Sequence, residues 1–160
     1  AVMVADCVPI LLAAKDGSCV AAIHAGWRGL AAGVIEETVK CLPVPAAELF
    51  AVIGPCISAE HYEVGGEVVQ QLQATNAKPF FTDNRLNIAA TSRRQLAHYG
   101  IRPQVSSFDV CTLKKERGFY CYRNNRRTGR FAAIIRFSAS SNELKNASSL
   151  LGGAREEYLL

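Results

Sequence analysis

The sequence predicts an α+β fold, a mixed β-sheet with flanking helices in a single domain. A chain of 160 residues is long enough to bury one real core. Its 49% hydrophobic and 20% charged residues are ordinary for a globular protein. Predicted strands and helices intermix without the regular βαβ alternation of a doubly wound sheet, which favours the α+β class.

The first predicted strand is short and is interrupted early. Ala1 to Ala5 is apolar and β-prone, and the polar Asp6 then precedes Cys7. Pro9 cannot donate a hydrogen bond within a central strand. We therefore predict that the next strand runs from Ile10 to Ala14.

A hairpin follows from the next turn. Asp16-Gly17 is a strong hairpin signal, and the returning strand is predicted from Cys19 to Ile23. Cys7 precedes the outgoing strand and His24 follows the returning one. We therefore expect Cys7 and His24 to lie near the same end of the hairpin.

Helical spacing of apolar residues predicts the next elements. One helix begins at Gly29 and ends before Pro43, which cannot continue it. A strand from Leu49 to Ile53 is stopped by Gly54-Pro55. A second helix is expected from about Glu67 to Thr75.

The second half of the chain is less regular. Residues 76–86 are predicted to be a polar connection, and a helix spans Asn87 to Tyr99, with Asn87 as its N-cap and Gly100 as its stop. The remaining β-prone segments are Gln104 to Phe108, Phe119 to Tyr122 and Phe131 to Phe137.

The composition changes after Phe137. We predict one domain over residues 1–137, with its N-terminal part missing because the chain lacks an initiator Met and starts inside a predicted strand. Residues 138–160 are Ser-, Asn- and Ala-rich at first and are predicted to be a tail of unknown origin. No apolar run approaches the roughly 20 residues of a membrane span, so no membrane partner is predicted.

The cysteines and the charge distribution limit the possible functions of the protein. Six cysteines spread through apolar segments, with no Cys-x-x-Cys pair, predict reduced thiols in a cytoplasmic protein. The net charge is +4, and eleven of the eighteen Lys and Arg residues lie between Arg93 and Arg136. Such a basic region is either a solvated face or an anion-binding surface.

Cys7 and His24 are the strongest candidates for chemistry. Thiolate and imidazole are zinc ligands, and a Cys beside a His can also be a nucleophile with its base. The plainer alternative is a buried thiol and a hydrogen-bonded core histidine. Asp6 argues against it, because a carboxylate in an apolar segment needs a partner.

Two further groups of residues suit an anionic or aromatic ligand. Arg28 follows Trp27 in a Gly-flanked helix start, where guanidinium and backbone N–H groups favour negative charge and the ring suits a purine. Arg123, Arg126, Arg127 and Arg130 lie in a basic loop interleaved with Tyr120 and Tyr122, which suits phosphate or RNA. No recognisable nucleic-acid-binding motif supports the RNA interpretation.

Six motifs in order resemble the polyphenol oxidase or multicopper laccase-domain family, now described as purine nucleoside phosphorylases. The resemblance covers about residues 1–137. The motifs are Val4-Ala5-Asp6-Cys7-Val8-Pro9, His24-Ala25-Gly26-Trp27-Arg28-Gly29, Ile53-Gly54-Pro55-Cys56-Ile57, Tyr62-Glu63-Val64-Gly65, Asp109-Val110-Cys111-Thr112 and the segment from Tyr122-Arg123 to Thr128-Gly129-Arg130.

The resemblance implies a zinc site with three ligands. Two of them correspond to Cys7 and His24, and the third, a His in a Val-His-Gly motif, is expected upstream of Ala1. The implied activity is phosphorolysis of adenosine, inosine and methylthioadenosine, with adenosine deamination as a second reaction. Arg28, Arg123 or Arg130 would then hold phosphate, and Asp6 would orient the site.

The word laccase in the family name can be tested on the residues. A multicopper oxidase needs about four coppers held mainly by imidazoles, and three histidines are too few. Zinc, which the resemblance implies, is the predicted metal, and copper at a Cys/His site is the lesser possibility. A metal-free Cys–His hydrolase and a non-enzymatic anion- or RNA-binding module are the alternative functions.

Overall fold

The computed structural model describes residues 1–104, 110–114 and 118–137, and it has the predicted α+β fold with a mixed sheet and flanking helices. No helix in this described part is long and apolar enough to cross a membrane. The strands are β1 Val2–Val4, β2 Val8–Ala14, β3 Val20–Ala25, β4 Leu49–Ile53, β5 Phe81–Thr82, β6 Arg85–Leu86, β7 Pro103–Gln104 and β8 Phe131–Ala133. The α-helices are α1 Trp27–Ala31, α2 Val34–Cys41, α3 Gly66–Gln73 and α4 Ile88–His98.

A four-stranded sheet with the order β3-β2-β4-β7 organises the molecule. Strand β2 pairs antiparallel with both β3 and β4, while β4 and β7 run parallel, so the sheet is mixed. Strands β1 and β8 form a separate antiparallel pair. The chain's start and its last described strand therefore lie side by side.

One face of the sheet forms the core. Ile10 and Leu12 of β2 are fully buried, and β4 alternates between buried Ala51 and exposed Phe50. The helices contribute apolar side chains such as Leu30 to the same cluster. Alternation of this kind is typical of a strand that buries only one side.

Strand β2 begins at Val8, two residues earlier than predicted, and Pro9 lies inside it. The Pro9 carbonyl accepts the backbone N–H of Gly54 over 2.9 Å, and Gly54 is the residue directly after β4. Pro9 therefore lies beside the end of β4. The hydrogen bond that proline cannot donate is lost only at the end of the β2–β4 ladder, where it is tolerated. Strand β3 is also longer than predicted and includes His24, whose side chain is exposed.

The single helix predicted from Gly29 is two helices. Helix α1 already begins at Trp27, and Gly33 separates it from α2. Gly33 has a φ of 78°, a left-handed conformation that glycine adopts without steric cost. The prediction missed this break because apolar spacing continues across it.

The other helices lie close to their predictions. In α4 the Asn87 side chain accepts the N–H of Ala90 over 2.9 Å, as expected of an N-cap, and Gly100 follows the helix with a φ of 78°. Residues 76–86 were predicted to be a connection, yet they contain the β5–β6 hairpin.

The C-terminal strand predictions are only partly correct. Strand β4 matches its prediction, and β8 is shorter than Phe131 to Phe137. Phe119 to Tyr122 forms no strand. Of the predicted Gln104 to Phe108 strand, residues 105–108 lie outside the described residues, as does the predicted tail, 138–160.

Asp6 forms the junction between β1 and β2, and its backbone has an unusual conformation. Its φ is 98°, which is rare for a residue other than glycine. Its carbonyl accepts the N–H of Ile57 over 2.9 Å, and its carboxylate Oδ2 accepts the N–H of Arg123 over 3.2 Å. Two distant loops are thereby fixed beside Cys7.

The positive φ makes a prediction about stability. Asp6→Ala and Asp6→Gly both remove the carboxylate, but only glycine adopts this φ without strain. We expect Asp6→Gly to have the higher free energy of unfolding, by about 1 kcal/mol, in urea denaturation. Glu37, an exposed residue in the middle of α2, is the control.

At Glu37 the order should reverse, because Ala favours a helix over Gly by about 1 kcal/mol. Equal stability of Asp6→Ala and Asp6→Gly, with the normal order at Glu37, would show that the junction does not require a positive φ.

Candidate functional site

The hairpin register brings Cys7 and His24 to the same end of β2 and β3. Pro9 is paired with His24 and Val8 with Ala25, so Cys7 lies next to the turn that follows β3. A Cβ atom added at Gly26 would lie 2.9 Å from Cys7 Sγ and 4.0 Å from His24 Nε2. The sulfur and the imidazole nitrogen therefore border one space, and glycine keeps that space open.

These two donor atoms suit zinc, which binds thiolate sulfur and imidazole nitrogen. No group of three or more His, Cys, Asp or Glu close enough to hold a metal occurs within residues 1–104, 110–114 and 118–137. At this site Cys7 and His24 offer two candidate donor atoms. That number is incomplete for a catalytic zinc, which uses three protein ligands.

Asp6 and Cys7 form a buried polar pair. Only 8% of Asp6 is exposed, and burial raises the pKa of its carboxyl despite hydrogen bonds from the Cys7 thiol and the Arg123 backbone. Burial and then the Asp6 carboxylate raise the pKa of the Cys7 thiol to about 12. Such a thiol is a poor nucleophile in the absence of a metal, which disfavours the metal-free hydrolase.

A cleft of about 520 Å³ adjoins this pair, and it exceeds the other described cavities, of 210 to 450 Å³. Its walls combine cations and aromatic rings around the buried Asp6 and Cys7. The lining residues are Asp6, Cys7, Trp27, Arg28, Tyr62, Tyr122, Arg123 and Arg126. A smaller cavity of about 240 Å³ lies between Cys7, His24 and the start of α1.

Two arginines of the cleft stack on its rings. Arg28 Cζ lies 4.3 Å from the Trp27 ring centroid, and Arg123 Cζ lies 4.8 Å from that of Tyr62. Cation–π contact at these distances holds the guanidinium groups over the rings. Both arginine side chains nevertheless remain exposed at the cleft.

Arg130, a predicted phosphate ligand, is not among the residues that line the cleft. Its Nη1 donates to the carbonyls of Thr128 and Gly129 over 2.9 and 3.0 Å. Arg126, from the same basic loop, lines the cleft instead. Loop conformation decides which arginine faces the cleft, and residue type alone could not.

The sequence analysis gave no role to Tyr62 and included Tyr122 only as an aromatic neighbour in the basic loop. Tyr62 is 5% exposed, and burial raises the pKa of its hydroxyl above the ordinary value. Its only sequence signal is its place in one of the six motifs. Tyr122 is 46% exposed at the rim, and its backbone N–H binds the Ala5 carbonyl over 3.3 Å.

Comparison with known proteins gives a family for this arrangement. The family model described as multi-copper polyphenol oxidoreductase laccase matches residues 1–138. The chain is 42% identical over 141 residues to the Escherichia coli protein named purine nucleoside phosphorylase YfiH, covering 84% of this chain and 58% of that protein. It is also 42% identical over 142 residues to the Pseudomonas aeruginosa purine nucleoside phosphorylase PA4543, with the same coverage.

Solved structures agree with the fold. The Neisseria meningitidis protein NMB0706 is 38% identical, with a TM-score of 0.69 over 81% of this chain and 56% of that chain. The Bacillus licheniformis protein YfiH is 30% identical, with a TM-score of 0.70 over 80% and 53% of the two chains. The present chain thus spans little more than half of the length of these relatives. It belongs to the multi-copper polyphenol oxidoreductase laccase family.

Proposed function

We propose that this chain carries the metal and substrate site of a zinc-dependent purine nucleoside phosphorylase acting on adenosine, inosine and methylthioadenosine. Adenosine deamination is the proposed second reaction. The observation that carries the proposal is the open space bordered by Cys7 Sγ and His24 Nε2, next to a cleft lined by cations and rings. The names of the relatives support the reaction class.

Cys7 and His24 would hold the zinc, with a third ligand from outside the described residues. The fit rests on the chemistry of the two donors and on the space that Gly26 leaves between them. Zinc would act there as a Lewis acid toward an oxygen or nitrogen of the nucleoside. Copper, which also binds imidazole and thiolate, is the alternative metal.

The arginines of the cleft would bind phosphate. Arg28, Arg123 and Arg126 are exposed and line the same cleft. Charge-assisted hydrogen bonds from guanidinium groups hold a phosphate strongly and fix its orientation. In phosphorolysis, a phosphate oxygen thus positioned attacks the ribose C1′, the glycosidic C–N bond breaks, and the purine leaves with a proton.

The aromatic side chains would bind the base. Trp27 is partly buried against the core, and Tyr62 and Tyr122 lie on the wall of the cleft. A purine stacks favourably on such rings because both surfaces are flat and apolar. Asp6 would act as a positioning residue, since it lies next to Cys7 and its Oδ2 accepts the backbone N–H of Arg123 over 3.2 Å.

Substitution of the two metal ligands tests the proposal. In the protein expressed from its complete gene, we expect Cys7→Ser and His24→Asn each to lower kcat/KM for inosine phosphorolysis by about 100-fold or more, because the metal site is lost. Zinc per chain, measured by elemental analysis, should fall in parallel. Cys41→Ser, which alters an exposed thiol at the end of α2, should change neither.

Unchanged phosphorolysis in Cys7→Ser or His24→Asn would contradict the proposal. Hydrolase activity lost in proportion to Cys7 alkylation, in protein without bound metal, would instead support the metal-free hydrolase.

Phosphate binding gives a second prediction. Arg123→Ala should raise the KM for phosphate about tenfold, because a charge-assisted hydrogen bond contributes about 1.5–3 kcal/mol. Arg127→Ala is the matched control, since Arg127 is exposed on the same loop but does not line the cleft. Steady-state assays with varied phosphate measure both, and an equal rise in KM for the two variants would rule out a specific role for Arg123.

A further inference from the structure

A second group of nucleophilic side chains lies outside the Cys7 cleft, where the loop after β4 meets the segment around residue 111. Cys56 and Cys111 form an isolated parallel β-bridge, and the N–H of Thr112 donates to the Cys56 carbonyl over 3.0 Å. Neighbouring strands lie about 4.8 Å apart. That spacing falls within the Cα separation of about 4.4–6.8 Å that a disulfide requires.

The Cys111 thiol lies beside a base and a hydrogen-bond donor. Its Sγ is 3.6 Å from His61 Nδ1 and accepts the backbone N–H of Ser58 over 3.3 Å. The Ser58 hydroxyl oxygen lies 3.0 Å from the same His61 nitrogen. His61 therefore contacts both the thiol and the hydroxyl.

These contacts favour the thiolate of Cys111. Burial alone would raise the pKa of this thiol, but hydrogen bonds from the Ser58 side chain and from the backbones of Ser58, Leu113 and Lys114 lower it overall. Cys7, which lies beside a carboxylate, has the opposite shift. A thiolate stabilised by N–H donors and adjacent to an imidazole is the usual setting of a reactive cysteine.

Both cysteines line a cavity of about 220 Å³, which also borders Ser58, Asn87 and Arg93. The two residues are 9% and 6% exposed, so bulky reagents are excluded from direct approach. A cavity of this size admits a molecule of a few heavy atoms. Its lining mixes apolar residues with Ser58, Asn87 and Arg93, whose polar groups can form hydrogen bonds with a small reagent.

We propose that Cys111 is a modification site for small peroxides, with His61 as its base and Cys56 as the resolving thiol. The site is independent of the zinc and nucleoside chemistry proposed above. Its substrate class is hydrogen peroxide or a small alkyl hydroperoxide.

The reaction balances in two steps. His61 takes the proton of Cys111, and the thiolate sulfur attacks the terminal peroxide oxygen. The S–O bond forms, the O–O bond breaks, and the leaving oxygen takes the proton from His61 to give water or an alcohol. The Cys56 thiol then attacks the sulfenic sulfur, an S–S bond forms and water leaves, so two thiols are oxidised and one peroxide is reduced.

Peptide mapping of the wild-type protein tests the proposal directly. After one equivalent of hydrogen peroxide at pH 7, we expect a Cys56–Cys111 disulfide and an intact Cys121 thiol. Cys121 is the matched control because it is buried to a similar degree, at 4% exposure. Oxidation of Cys111 no faster than of Cys121, or absence of the disulfide, would overturn the proposal.

Variants assign the roles. Cys56→Ser should stop the reaction at a sulfenic acid on Cys111 that dimedone traps, and His61→Asn should slow Cys111 oxidation about tenfold. Because the pKa of Cys111 is lowered, its oxidation should persist to lower pH than that of the exposed Cys41. An unchanged rate in His61→Asn with an unchanged melting curve would show that His61 is not the base.

Discussion

The hydrogen bonds of Asp6 join three parts of the chain that are far apart in sequence. The backbone carbonyl binds the loop after β4 through Ile57, and the carboxylate binds the basic loop through the N–H of Arg123. The same carboxylate accepts a hydrogen bond from the Cys7 thiol. Since Arg123 and Cys7 both line the 520 Å³ cleft, one buried side chain fixes the position of two of its walls. These hydrogen bonds hold Asp6 in its strained backbone conformation, because together they fix both its carbonyl and its side chain.

Burial of Asp6 also sets the electrostatics of the site. The pKa of Cys7 is high first because the thiol is itself buried, and second because the neighbouring Asp6 carboxylate, which is 8% exposed, opposes another negative charge. A cation placed between Cys7 and His24 would reverse this balance, since it stabilises thiolate and carboxylate together. Arg28 and Arg123 stabilise these two negative groups less than such a cation would, because their guanidinium groups lie over aromatic rings and are exposed to solvent. The zinc proposed between Cys7 and His24 would supply this positive charge beside the space that Gly26 leaves.

The sequence predicted those features that depend on neighbouring residues. Asp16-Gly17 fixed the hairpin and hence the common end of Cys7 and His24, and Asn87 marked the start of α4. Features that depend on distant parts of the chain were missed. Pro9 is tolerated in β2 because β4 ends beside it, and the path of the 123–130 loop decides that Arg123 and Arg126 line the cleft. The break between α1 and α2 was also missed, although its cause is local. Gly33 adopts a left-handed conformation there, but the helical spacing of apolar residues continues across it.

Cys7 and Cys111 show how the same residue type acquires opposite chemistry within one small fold. Cys7 lies beside a carboxylate, so its thiolate forms readily only where a positive charge balances it. Cys111 lies among backbone N–H groups and next to an imidazole, so its thiolate is stabilised by the protein itself and its proton has an acceptor at 3.6 Å. The first environment suits a metal ligand, whereas the second suits a nucleophile that works without metal. A metal held at Cys7 would protect that thiol from oxidants, and Cys111 would remain reactive in the same molecule. The two environments lie close together, because the backbone hydrogen bond from Ile57 to Asp6 joins the residue after Cys56 to the residue before Cys7, so the difference in chemistry arises from the immediate neighbours of each thiol.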